Sequence, residues 1–174
     1  MTDYKSKLDR LDTGRLIDVV KNYRQYGYDD NLRATAITIL NKRGITKNDL
    51  KITGNFENKT YDHAHDLFKS FGKNSTIAFV LYAILLLTNI MIEILISYFE
   101  PAVLLVMLLN WAFLIGYLTF LVISFLNQYQ FYKVINLDYG TEGALLYLFL
   151  GMPFYIFMYF YFKNQMKEKM KHIK

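Results

Sequence analysis

The sequence has no cysteine, two prolines and one tryptophan in 174 residues. Without thiols it can form neither disulfides nor thiolate metal sites, and it lacks the nucleophile of thiol enzymes. Prolines stand only at 101 and 153, so helices have few places where they must start, bend or stop. Charge is scarce over one long region: from 75 to 162 the sole cation is Lys133, with Glu93, Glu100, Asp138 and Glu142 as anions. No apolar run of sufficient length occurs before Ser75, too late for a cleavable secretory peptide, so the first long apolar segment is expected to act as an uncleaved insertion signal. A phosphate-cradling glycine loop, a nucleophile elbow and an HExxH pair are also missing. The expectation is a non-enzymatic protein with no cofactor and no metal.

The charge is concentrated at the two ends. Residues 1–74 hold 14 of the 20 Lys/Arg and 10 of the 15 Asp/Glu. Both signs are interspersed there, as on a solvated helical face, and this gives no nucleic-acid signature. Residues 1–57 are predicted to form a soluble helical domain built on a hairpin. One helix follows Asp12 as N-cap and stops at Gly27. A second is capped by Asp29 or Asp30 and ends with Lys42, Arg43 and Gly44. A short third begins at Thr46 with Asp49 three residues on.

Within that domain, Tyr26-Gly27-Tyr28, an acidic cap, an alanine-containing helix and Ile39-Leu40-Asn41-Lys42-Arg43-Gly44-Ile45 resemble a short N-terminal element of small uncharacterised bacterial multi-pass membrane proteins. The likeness covers about 30 residues with its flanks, rests on helix punctuation, and implies no activity.

Residues 58–74 place Tyr61, Ala64, Leu67, Phe68 and Phe71 on one helical face and are predicted to be an amphipathic helix along the membrane interface. Asn58-Lys59-Thr60 fits the glycosylation pattern. Three apolar segments follow, 75–99, 102–125 and 143–162, each near the roughly 20 residues that a span needs. The fold class is therefore an all-α membrane protein: a cytoplasmic helical hairpin, an interfacial helix and three transmembrane helices. It is placed in the cell membrane with the N-terminus cytoplasmic, because export of a charged 74-residue domain without a signal peptide is uncommon.

Three crossings would put the basic tail, 163–174, on the far side. Lys163, Lys167, Lys169, Lys171 and Lys174 would then face anionic lipid headgroups there. Counting Lys and Arg near the span ends does not favour either orientation of such a protein. Gly151 and Pro153 offer another route, a re-entrant hairpin that returns the tail. The kinked full span is preferred, since non-helical backbone at membrane depth needs shelter that two spans alone are not expected to give.

Asn89 and Glu93 lie four apart on one face of the first span. Counted from Glu100, Asn89 is about 16 Å deep, Glu93 about 10 Å, and Asn110 on the returning helix about 15 Å. The three are predicted to form a polar seam, as an interhelical clamp in preference to an ion site. His63 and His65, two apart, point to different helical faces and suit a solvated helix better than a metal. The expected function is that of an accessory subunit binding another membrane protein, or else a small homo-oligomeric channel or transporter using Glu93.

Overall fold

The computed structural model describes residues 2–98, 100–137 and 140–173. Seven helices follow in order: α1 Thr2–Asp9, α2 Thr13–Asn22, α3 Asp30–Lys42, α4 Lys47–Ile52, α5 Lys59–Tyr98, α6 Glu100–Val134 and α7 Gly140–Met170. No strand occurs among the described residues. The chain divides into two compact units, one reaching Asp62 and the other His63–Ile173.

In the first unit the helix starts are fixed by side-chain caps. Asp12 Oδ1 accepts from the Arg15 N–H at 2.8 Å and Asp29 Oδ1 from the Leu32 N–H at 2.8 Å, each satisfying a donor that the first turn leaves free. Gly27 and Gly44 have φ of 70° and 87°, a left-handed conformation that a Cβ would strain. Leu16, Val20, Ala36 and Leu40 pack with Leu8, Val19, Ile39, Leu50 and Phe56 into the core. Sequence periodicity did not predict α1, which buries Leu8.

Arg33 holds this unit together from within. Its Nε donates to Val20 O at 3.2 Å and its Nη2 to Phe56 O at 2.5 Å. The guanidinium lies 4.4 Å from the Tyr23 ring centroid and 4.2 Å from that of Phe56. One planar cation thus ties α2 to the segment after α4 through two carbonyls and two aromatic faces.

At the start of α4, Thr46 and Asp49 form a reciprocal capping box. The Thr46 hydroxyl, at 2.7 Å, and then its N–H, at 2.8 Å, hold the Asp49 carboxyl below its usual range. A depressed carboxyl stabilises the fold above the unfolded-state pKa, and that contribution is lost as pH falls through the lowered value. Acid unfolding of α4, followed by amide exchange, should therefore weaken in pH dependence in Asp49→Asn. An unchanged acid profile would show that the box carries none of it.

The second unit contains the long helices. Three helices are long and apolar enough to cross a membrane, within α5, α6 and α7. The interfacial helix predicted over 58–74 is not a separate element: α5 runs 40 residues without a break, about 60 Å. The change at Ser75 is one of composition, and backbone bonding continues through it. Ala64, Leu67 and Phe71 are buried and Tyr61 and Phe68 half-buried, so most of the apolar face meant for lipid is covered by protein. Asn58 is buried too. Its Oδ1 accepts from the Tyr61 N–H at 3.0 Å and its Nδ2 donates to Asn22 Oδ1 at 2.7 Å. The amide nitrogen that a glycan would need is occupied.

The interior of α7 departs from the expected kinked span. Tyr147 and Phe162 are 15 residues apart, about 22 Å along a straight helix, yet their ring centroids are 4.8 Å apart. The helix therefore folds back on itself. The turning point is Phe154, with φ −126° and ψ 29°, directly after Pro153, which has no N–H to donate. Residues 140–153 run against α6, with Phe125 5.7 Å from Tyr147. Residues 155–160 lie against α5, with Tyr159 OH 3.1 Å from Thr76 Oγ1 and Tyr155 OH donating to Ser75 O at 3.3 Å.

Candidate functional site

The fold-back converges with α5 and α6 at three tyrosines, one from each helix. Ring centroids are 5.4 Å apart for Tyr82 and Tyr117, 5.5 Å for Tyr117 and Tyr155 and 6.2 Å for Tyr82 and Tyr155. Tyr117 reaches this point because α6 buries Tyr117, Leu121, Ser124, Gln128 and Phe131, a stripe with alternating spacings of four and three. The non-helical torsions at Phe154 displace the ladder partners of the carbonyls at 151, 152 and 153. Two of these three are satisfied from elsewhere in the chain. The Tyr117 hydroxyl donates to Gly151 O, and the Tyr82 hydroxyl donates to Pro153 O at 2.7 Å.

Shelter for the bend thus comes from the chain's own α5 and α6. Two helices of the same chain supply it, which the preference for a kinked span did not anticipate. The tip also packs closely on α6: a Cβ at Gly151 would stand 3.1 Å from Leu121 Cδ1, so any side chain there would make Leu121 give way by a few tenths of an ångström.

The predicted polar seam forms in part. Asn110 Nδ2 donates to Asn89 Oδ1 at 3.1 Å, and Thr88 Oγ1 donates to Asn110 Oδ1 at 3.1 Å. Asn89 Nδ2 turns back to Leu85 O at 2.8 Å. A clamp of this kind contributes roughly 0.6 kcal/mol per contact in a bilayer. Glu93 does not join it. Its side chain is exposed and has no ion pair or hydrogen-bond partner among the described residues. Sequence reasoning missed Thr88, and it missed Tyr82 and Tyr117 as acceptor-fillers. The signal available was that Tyr117 is the sole tyrosine of the segment 102–125.

A groove of about 910 Å³ opens beyond the tip, lined by Tyr82, Asn89, Asn110, Trp111, Tyr117 and Pro153 among others. Outward from it, described apolar side chains of α5 and α6 are uncovered, with Ile94 57%, Leu104 68% and Trp111 62% exposed.

The basic tail continues α7 to Met170, and the stripe Met166, Met170 and Ile173 is buried. Lys163 Nζ donates to Tyr159 OH at 3.0 Å, Lys171 pairs with Glu168 at 2.6 Å, Lys167 is exposed and Lys169 half-buried. Lys174 lies outside the described residues. His63 and His65 stand with Asp62, which binds Arg24 at 3.2 Å. Among the described residues no group of three or more His, Asp or Glu side chains is placed to hold a metal. Compared with known proteins, the chain has no matching family, no similar curated protein and no similar solved structure.

Proposed function

We propose that the chain is a non-enzymatic membrane subunit in which α5 and α6 cross the bilayer, α7 re-enters, and the outer half of α5 and α6 binds another membrane protein. Both ends are cytoplasmic in this reading. The fold-back supports that orientation through the positive-inside rule. With two crossings and a re-entrant α7, Lys59, Lys69, Lys73, Lys133 and the five tail lysines would share one membrane face, and the opposite connection at Tyr98–Pro101 has no Lys or Arg. The near-tie of a three-span count becomes a one-sided distribution.

The observation that carries the interaction reading is Glu93. A carboxylate at membrane depth is costly and is ordinarily paired, yet Glu93 is exposed beside the Asn89–Asn110 clamp. The occupant that fits is a membrane helix bearing Lys, Arg or His near the interface level. A second copy of this chain has no cation between Lys73 and Lys133, so it could not neutralise the charge. This favours a heterologous partner over a homo-oligomeric channel.

Glu93→Gln and Glu93→Asp separate the two. With the tagged chain purified from native membranes in mild detergent, a partner at fixed stoichiometry should persist in Glu93→Asp and fall about tenfold in Glu93→Gln, the loss of roughly 1.4 kcal/mol. Purified wild-type chain in proteoliposomes should pass no protons. A self-assembled chain whose proton flux vanishes in Glu93→Gln would replace this reading with the channel.

A further inference from the structure

The arms of the fold-back have a limited reach. Residues 143–150 and 154–162, the apolar parts, advance about 12 and 13 Å at the helical rise. Half of a roughly 30 Å hydrocarbon core is about 15 Å, so the pair fits one leaflet. Its tip is tied to Tyr82 and Tyr117, and from those residues α5 and α6 each continue about 25 Å to their connection. The arms also present apolar side chains outward, with Phe149 76% and Phe157 73% exposed, as a lipid-facing surface requires.

The helical cross-section of the second unit is therefore unequal along its length. Four helical segments stand on the side of the tail, and two stand beyond the tip. At a helix diameter of about 10 Å, the two extra segments add on the order of 150 Å² to one leaflet. We infer that the chain by itself is a wedge in the bilayer and accumulates where the leaflet holding its tail is on the convex side of curved membrane. This rests on the re-entrant topology proposed above. A partner helix seated at Glu93 would add cross-section to the other leaflet and offset the wedge, so the effect belongs to the unpartnered chain.

The test uses the purified full chain in giant vesicles of mixed zwitterionic and anionic phospholipid. In this cysteine-free sequence, Lys174→Cys labelled from outside with an impermeant thiol dye makes only outward-tailed molecules visible. On a narrow tether pulled outward, their density relative to a lipid dye should rise about threefold over the vesicle body, as curvature-sensitive insertion predicts. Phe149→Lys with Phe157→Lys, both at exposed positions, should withdraw the arms and return the ratio to one. A wild-type ratio of one, or a lysine variant that still sorts, overturns the inference.

A chain with both Lys5→Cys and Lys174→Cys reports topology separately. In sealed vesicles each molecule should take two labels or none if the ends share a face. One label per molecule would show that the re-entrant reading itself had failed.

Discussion

Arg33→Ala should cost the N-terminal unit about 3 kcal/mol. Hydrogen bonds from a charged donor contribute roughly 1.5–3 kcal/mol, and cation–π stacking adds about 0.5–2 kcal/mol according to how well it is shielded. The substitution also strips Val20 O and Phe56 O of their donors and leaves the Tyr23 and Phe56 faces without the plane between them. A unit of about 60 residues has at most several kcal/mol to lose, so most of its stability should go. Amide exchange of α2 and α3 in the full chain measures it, and protection factors should fall about a hundredfold, which corresponds to roughly 2.7 kcal/mol. Arg33→Lys keeps the charge without the two-pronged donor geometry, and should recover less than half. Full protection in Arg33→Lys would show that charge alone holds the junction.

Gly151→Leu should open the fold-back. The Cβ alone would meet Leu121 Cδ1 at 3.1 Å, and a leucine adds three further carbons beyond it. Overpacking of this kind costs about 1–3 kcal/mol, and here the bend's two tyrosine hydrogen bonds depend on the same seating. Spin labels at Leu146→Cys and Tyr161→Cys, two exposed positions that line one cavity, read the result. The native chain should show a short separation. Gly151→Leu should shift the distribution toward the roughly 22 Å of a straight helix, and Leu121→Ala added to it should restore the short one. If the native labels themselves sat at the straight-helix distance, the fold-back would be wrong.

The N-terminal caps were legible because each is a local event. Asp12, Asp29 and the Thr46–Asp49 pair bond to backbone within three residues, and sequence spacing is enough to see them. The long apolar runs were legible for the same reason, as composition over some 20 residues. The bend was half visible: Gly151 and Pro153 marked the place, but its outcome depended on hydroxyls supplied by Tyr82 and Tyr117, 71 and 34 residues earlier in the chain. At residue 74 the polarity changes while α5 continues, so composition there does not mark the end of a helix. Arg33 read as one more charge on a solvated face, since nothing local reveals that two rings and two carbonyls surround it. In the polar seam, the Asn89–Asn110 pairing followed from matched depth, whereas Glu93 shared a face with Asn89 without sharing its partner.

The bend also imposes an order on biogenesis. Both hydroxyls that satisfy its carbonyls belong to helices made before it, so the bend has no dock within the chain until α5 and α6 are formed. Synthesis from N- to C-terminus supplies that dock first. A lesion that removes either hydroxyl from α5 or α6 should therefore leave residues 140–170 fully made but unbent.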